Sequence, residues 1–230
     1  VGTPSLPDGD VDLSQVISAF EAAIKIAKYS VGDTMLILKS NTPPGTMNMV
    51  KRKMIRNAGI ASLRKVIFLS NPEFLREGVA LDDFINSDRI IIGTFDGEPL
   101  QCALELYSDF DAPVHFVSFN TAEFIKYSSN TTLASLISIA NELSLIASAV
   151  GEIDIKRAFQ LLHADKRWSG SPGAMSKYLY PGCGFGGYCL PKDVKQLQAN
   201  YADVPNALIN SLDEANNKRK NFIASSIIKK

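Results

Sequence analysis

A glycine-rich stretch with two cysteines, residues 181–193 (PGCGFGGYCLPKD), carries the strongest chemical signal in the chain. Cys189 stands two residues before Pro191. Because proline favours the first turn of a helix, we expect Cys189 at a helix N-terminus, where the dipole and the N–H groups favour a thiolate. Lys192 adds positive charge, and Asp193, four residues after Cys189, can share its face. These residues allow an activated nucleophile and a buried, inert cysteine about equally.

The glycines of this stretch also match the nucleotide-binding pattern G-x-G-x-x-G, at Gly182, Gly184 and Gly187. A dinucleotide fingerprint follows a strand, opens a helix and has an acidic residue about 20 positions further on. The preceding residues 174–181 (AMSKYLYP) do not have the pattern of a strand. We therefore interpret the match as a coincidence and expect these glycines to let the backbone approach a ligand closely.

Two further groups of polar residues fall where a site is plausible. Glu73 and Glu77 follow a predicted strand, and ligands of open α/β sheets bind beyond the carboxyl ends of strands. Lys126 and Asn130 are four residues apart on a predicted helix and so share a face. Taken alone, each group has a plainer interpretation: a solvated loop for the glutamates, and a lysine that snorkels to water.

The two histidines bear on whether the chain is a cysteine hydrolase, which would need a histidine beside Cys189. His115 lies inside a predicted strand, as a core or edge residue, and His163 ends a predicted helix, where it complements the dipole. Nothing in the sequence pairs either histidine with Cys189. No metal site is predicted, because Cys183 and Cys189 lack the spacing of zinc ligands.

The elements that must position these residues form two contrasting halves. Up to residue 119, short apolar runs alternate with helical patterns, which predicts an α/β fold with a parallel sheet covered on both faces. Strands are predicted at residues 34–40, 65–70, 89–94 and 114–119, and helices at 13–29, 46–57 and 98–110. This half (1–119) has the pattern of part of a doubly wound domain.

The second half (120–230) is predicted to be an all-helical domain. Helices are expected at residues 120–150 and 153–163, with one opened by Pro191 and a long last one opened by Pro205. Asn120 and Glu123 have the spacing of a capping box at the start of the first of these helices.

Composition excludes several classes of function. The 230 residues include 24 basic and 24 acidic residues, and without a basic stripe nucleic acid is not an expected partner. No apolar run is long enough to span a bilayer, so no membrane partner is expected. Three cysteines are too few, and odd in number, for a disulfide scaffold, which favours a reducing, cytoplasmic setting.

Three stretches, in order, resemble one family: the nucleotide-sugar dehydrogenases that oxidise UDP-glucose, GDP-mannose and related sugars. Residues 71–78 (NPEFLREG) resemble the family's substrate loop, and residues 123–143 (EFIKYSSNTTLASLISIANEL) the helix that supplies its lysine and asparagine. Residues 184–193 (GFGGYCLPKD) resemble its cysteine loop, in a form most similar to bacterial UDP-glucose 6-dehydrogenases. VGTP, KSNTPPGT and DRIIIG fall in the expected order, so the resemblance covers essentially the whole chain.

The resemblance implies a four-electron oxidation of the sugar C6 alcohol to an acid, with two NAD reduced. Cys189 would attack the aldehyde to give a thiohemiacetal and then a thioester, which water hydrolyses. Lys126 would stabilise the substrate oxygen, and Asn130 would hold that oxygen or a water. Asp193 and Glu73 would serve the proton transfers and the hydrolytic water.

The resemblance also implies binding residues. Those for the nucleotide sugar are Phe74, Leu75, Tyr178, Phe185 and Gly186. Those for NAD are Thr3, Asn41, Glu77 and Lys192. Asn41 departs from the family, which has a cofactor-facing threonine there; it keeps a hydrogen bond but not the same hydroxyl.

The family pattern extends beyond both ends of this chain. The phosphate-binding glycine loop would precede residue 1, so that 1–119 is part of an NAD domain, and a further nucleotide-binding domain would follow residue 230. We therefore expect weak NAD binding and little turnover from these residues alone. A homodimer through the helical domain is also implied. The alternatives are the same chemistry on GDP-mannose or a UDP-N-acetylhexosamine, and a non-catalytic helical dimerisation fragment.

Overall fold

A computed structural model describes residues 2–165, 181–200 and 207–228 of the chain. The chain divides into two compact units, one up to Ser128 and the other from Ser129 onward. The division falls inside one long helix, a few residues beyond the boundary predicted at Asn120. Within the described ranges, no helix is both long and apolar enough to cross a membrane.

The first unit is built on a four-stranded sheet whose spatial order follows the chain. Its strands are β1 (Thr34–Leu38), β2 (Val66–Ser70), β3 (Ile90–Thr94) and β4 (Val114–Ser118). Each strand ends within two residues of its predicted bounds. His115 is exposed on β4, which is an edge strand.

The prediction of a wholly parallel sheet is wrong at the centre. β1 pairs with β2, and β3 with β4, in parallel, but β2 meets β3 antiparallel at the single pair Ser70 and Gly93. A continuous apolar run reports burial on both faces, as on the fully buried β3, and carries no information about strand direction.

Helices cover both faces of this sheet, as predicted. They are α1 (Ser14–Ala27), α2 (Thr46–Ala58), a 3₁₀ turn (Ile60–Leu63), α3 (Ala80–Ile85) and α4 (Gln101–Leu106). Leu38 and Phe68 pack with α1 and α2 on one face, whereas Leu69 and Ile92 pack with Ala103 of α4 on the other. The 3₁₀ turn and α3 escaped prediction because each is too short to show a helical period.

The described elements of the second unit are all helical. α5 (Phe119–Val150) enters it from the first unit, and α6 (Ile155–Ala164), α7 (Cys189–Asn200) and α8 (Ala207–Ile228) follow. His163 lies in the last turn of α6, as predicted. A small apolar core joins α5, the cysteine loop, α7 and α8 through Ala134, Phe185, Val194 and Leu212. Tyr178 and Pro205 lie outside the described residues.

Candidate active site

The first unit brings three of the predicted site residues together at the carboxyl ends of β1 and β2. The Asn41 amide donates from Nδ2 to Glu73 Oε1 over 2.6 Å. Lys126 Nζ lies 3.6 Å from the same oxygen, and the residue is only 4% exposed. Lysine needs a charge partner to be buried this deeply. The plainer interpretation of Lys126, a side chain that snorkels to water, is therefore wrong.

The residues after Glu73 complete this cluster. Glu73 Oε2 accepts from the Leu75 N–H over 2.7 Å, so both carboxylate oxygens are bound. The Phe74 ring centroid lies 5.4 Å from Lys126 Nζ, a cation–π distance. The solvated-loop interpretation therefore holds for the exposed Glu77 but not for half-buried Glu73.

The residues after β1 hold two buried oxygens that can accept a hydrogen bond from a ligand. Asn41 is fixed at its main chain, where its carbonyl accepts from Thr3 Oγ1 over 3.2 Å. Its side-chain Oδ1 and the Thr42 Oγ1 are buried and have no hydrogen-bond partner among the described residues. A buried acceptor left in this way favours a donor from a ligand. The carboxamide and ribose hydroxyls of NAD are donors of this kind, so these residues fit the cofactor.

A lysine that the sequence did not single out lies next to this cluster. Lys39 Nζ donates to Asn71 Oδ1 over 2.8 Å, and the Tyr107 hydroxyl donates to the same oxygen. Asn71 Nδ2 donates in turn to the Ile91 carbonyl over 2.8 Å. Burial lowers the pKa of Lys39, and the charge of Glu73 partly opposes that change. The network fixes the end of β2, and its only sequence signal was a polar residue directly after a strand.

Glu123 has a different role from the one its spacing predicted. Its carboxylate, 2% exposed, accepts from the N–H groups of Gly45 over 2.7 Å and Met47 over 2.8 Å, at the start of α2. The capping box is therefore wrong, and Asn120 lies within α5 rather than before it. Burial raises the pKa of Glu123 to about 7, against the effect of the N–H donors. Glu123 thus ties the first turns of α5 and α2 together.

In the second unit, Cys189 is the first residue of α7 and is exposed, which confirms its predicted place at a helix N-terminus. All three cysteines are thiols. Asp193, one turn further on, is fully buried, and Asn130 Nδ2 donates to its Oδ2. Its Oδ1 lies 3.2 Å from Lys192 Nζ and has no hydrogen bond among the described residues. Lys192, assigned above to NAD, therefore pairs with Asp193 in this structure.

The cysteine loop itself is fixed by residues that the sequence did not indicate. Phe185, assigned above to the nucleotide sugar, has its ring in the core at 2% exposure, whereas Gly186 is exposed. Asn216 and Arg219 of α8, and Asn141 of α5, bind the backbone before and at Phe185. Polar residues on a helix are expected to face water, so their types gave no signal of these contacts.

Two family models together cover most of the chain. Residues 1–111 match the NAD binding domain of the UDP-glucose/GDP-mannose dehydrogenase family, and residues 120–218 match the central domain of the same family. These matches agree with the resemblance of the three motifs and with the division into an α/β and a helical part.

Individual relatives show the same relationship. A UDP-glucose 6-dehydrogenase of Bacillus subtilis is 35% identical over 99% of this chain and 50% of its own length. A GDP-mannose 6-dehydrogenase of Pseudomonas aeruginosa is 34% identical over 95% of this chain and 50% of its own. The solved UDP-glucose dehydrogenase of Pyrobaculum islandicum superimposes with a TM-score of 0.83 at 37% identity, over 95% of this chain and 49% of that one.

The chain thus spans about half the length of the curated relatives it matches. The candidate catalytic residues lie within the two matched ranges. The chain belongs to the UDP-glucose/GDP-mannose dehydrogenase family.

Proposed function

We propose that this chain carries the catalytic residues of an NAD-dependent oxidation of UDP-glucose to UDP-glucuronate. One observation carries the proposal: Cys189 opens a helix whose next turn holds Asp193 bound to Asn130, inside the family's central domain. NAD, when bound, supplies the chemistry of accepting a hydride in each of the two oxidations.

Cys189 is the proposed nucleophile. Its thiolate adds to the C6 aldehyde of the sugar, and the C–S bond formed gives a thiohemiacetal. That carbon then loses a hydride, which NAD accepts when bound, and its hydroxyl loses a proton to water, which gives a thioester. Water then attacks the thioester carbon and the C–S bond breaks, which releases the carboxylic acid and returns the thiol. The N-terminus of α7 supports this cycle because its dipole favours the thiolate.

Lys126 and Glu73 are the proposed polar groups of the first unit. A buried ammonium stabilises negative charge on a substrate oxygen without having to reorganise during the reaction. Glu73, 3.6 Å from Lys126 Nζ, is the proposed acceptor of a proton from water. In the second unit, the matching carboxylate is Asp193, one turn after Cys189 on α7, and Asn130 holds it in place.

The proposed binding residues divide by their exposure. Phe74, Leu75 and Gly186 are accessible to a nucleotide sugar, whereas Phe185 can contribute only its backbone because its ring is in the core. Thr3 and Asn41 are the proposed NAD residues with the strongest support, through the buried acceptor Asn41 Oδ1. The roles proposed for Tyr178, Glu77 and Lys192 rest on the resemblance alone.

Counting NADH tests the proposal and identifies the sugar. A protein of the relatives' full length that carries this sequence would receive limiting UDP-glucose with excess NAD. We expect two NADH per sugar. Two NADH from GDP-mannose or a UDP-N-acetylhexosamine, and none from UDP-glucose, would keep the chemistry and change the substrate. No NADH from any sugar would leave a non-catalytic helical module.

A homodimer through the helical unit is also proposed. Ile139, Leu143 and Val150 recur on one face of α5 and are 41%, 42% and 70% exposed, an apolar strip that a second copy can cover. Light scattering of the chain should give twice its 25.0 kDa mass. Replacing Leu143 with glutamate should give the monomer, and a wild-type chain that is already monomeric would contradict the proposal.

A further inference from the structure

One side chain of the last helix binds the cysteine loop as a neighbouring strand would. Asn216 Oδ1 accepts from the Phe185 N–H over 2.9 Å, and Asn216 Nδ2 donates to the Phe185 carbonyl over 3.0 Å. Asn216 is 4% exposed and Phe185 2%. An amide so placed satisfies both backbone groups of one buried residue, which would otherwise each cost free energy.

The contact with Asn216 leaves no room for a side chain at Gly184. Its φ is +105°, and a Cβ at this position would lie 2.4 Å from Asn216 Oδ1. Any other residue would therefore displace either the loop or the amide. At Gly184, the backbone is thus approached closely by Asn216, a part of this chain.

Two more side chains hold the residue at the start of the loop. Arg219 Nε donates to the Gly182 carbonyl over 2.7 Å, and Asn141 Oδ1 accepts from the Gly182 N–H over 2.5 Å. Arg219 lies one turn after Asn216, so one face of α8 makes three of these four bonds. The stretch 182–185 is therefore fixed at both ends.

The fixed stretch lies four residues before Cys189. Gly186, Gly187 and Tyr188 separate Phe185 from Cys189, and glycine has more conformational freedom to lose than any other residue. Fixing Phe185 removes much of that freedom from the segment that leads into α7. The position of the thiol against the N–H groups at the start of α7 then depends on the anchor.

We propose that Asn216 is a positioning residue for Cys189, which makes the last helix part of the catalytic apparatus. The proposal rests on the function proposed for Cys189 but concerns the state of its thiol, which is measured without NAD or sugar. The test uses the 230-residue chain.

Iodoacetamide modification, resolved by peptide mass spectrometry from pH 6 to 10, measures the reactivity of each cysteine. In Asn216→Ala we expect Cys189 to react about tenfold more slowly at pH 7, with the midpoint of its pH profile moved upward. Asn217→Ala is the matched control, because Asn217 is the exposed neighbour on the same helix, and it should change neither. Half-buried Cys102 of the first unit is the internal reference for folding.

A second variant is needed if Asn216→Ala destabilises the whole chain, which faster modification of Cys102 would reveal. Gly184→Ala keeps the Asn216 side chain but forces it and the loop apart, so it should slow Cys189 by a similar factor. Unchanged Cys189 rates in both variants, with Cys102 also unchanged, would overturn the proposal. If Cys189 responds but full-length protein forms no NADH, the positioning role stands and the proposed reaction fails.

Discussion

The Glu73 cluster of the first unit and the cysteine loop of the second hold their polar groups in different ways. In the first, side chains at strand ends bind one another: Asn41 donates to Glu73, and Lys126 lies beside the same carboxylate. In the second, helix side chains bind backbone, as Asn216 does at Phe185. The first arrangement pairs opposite charges, whereas the second fixes the backbone of a glycine-rich loop. Substitutions at the two sites separate these two contributions.

The largest effect is expected at the cysteine. In a full-length protein, Cys189→Ser should lower the rate of NADH formation by about a thousandfold or more, because the hydroxyl is a far weaker nucleophile at neutral pH. The control is Cys183→Ser, an exposed thiol in the same loop, which should retain most of the rate. If the serine variant still gives two NADH per sugar at a comparable rate, covalent catalysis at Cys189 is wrong.

The second effect tests whether the first unit contributes chemistry of its own. Lys126→Met removes a buried cation while keeping most of the side-chain volume, and the rate should fall by about a hundredfold to a thousandfold. Steady-state kinetics should show the loss in kcat more than in KM, because the charge is needed in the transition state. Lys25→Met, on an exposed site of α1, should have no effect. A loss confined to KM would assign Lys126 to binding alone.

The third prediction uses the buried carboxylate of the first unit. Glu123 has a pKa of about 7 in the folded chain against an ordinary value of 4.5, so the folded state holds this proton more tightly. Protonated Glu123 therefore stabilises the folded state fully below pH 4.5. This contribution to the free energy of unfolding is lost as the pH rises from 4.5 to 7 and does not change further above that. The total loss is about 3 kcal/mol.

Urea unfolding of wild type and Glu123→Gln from pH 4.5 to 8.5 measures this change. The free energy of unfolding of wild type should fall relative to that of the variant as the pH rises from 4.5 to 7, and the difference should then stay level, since glutamine does not titrate. A difference that stays constant across the range would show that Glu123 does not titrate near neutral pH.

The sequence revealed the parts of both regions that depend on local pattern. Runs of apolar residues located all four strands, and Pro191 located the start of α7 and hence Cys189. The motifs named Glu73, Lys126 and Asp193 as partners in one chemistry, and the structure pairs Lys126 with Glu73.

What the sequence missed depends on residues distant along the chain. Asn216 lies 31 positions from Phe185, and Glu123 lies 76 positions from Met47. Both have ordinary polar types on helices, for which exposure to solvent is the normal expectation. Strand direction was missed for a related reason, since it is set by the connection between β2 and β3 and not by the residues within the strands.

The smallest effect is expected at Gly93, which differs from Gly184 in what it allows to pack closely against the backbone. Gly184 admits a side chain to a loop, whereas Gly93 lets β3 lie against the start of α5 and against β2. A Cβ on Gly93 would lie 2.9 Å from Ala122 Cβ, 3.0 Å from Phe119 Cα and 3.1 Å from Ser70 Cβ. Because two of these atoms belong to short side chains and one to backbone, none can move aside by changing rotamer.

Gly93→Ala should therefore destabilise the chain by about 1–3 kcal/mol, the usual cost of overpacking a core. Gly32→Ala is the matched control, because no atom lies within 4 Å of its added Cβ. Urea midpoints followed by far-ultraviolet circular dichroism measure both. Gly93→Ala should leave the pH profile of Cys189 modification unchanged, whereas Gly184→Ala should shift it. Equal shifts from the two variants would mean that Cys189 responds to general loss of stability rather than to its own anchor.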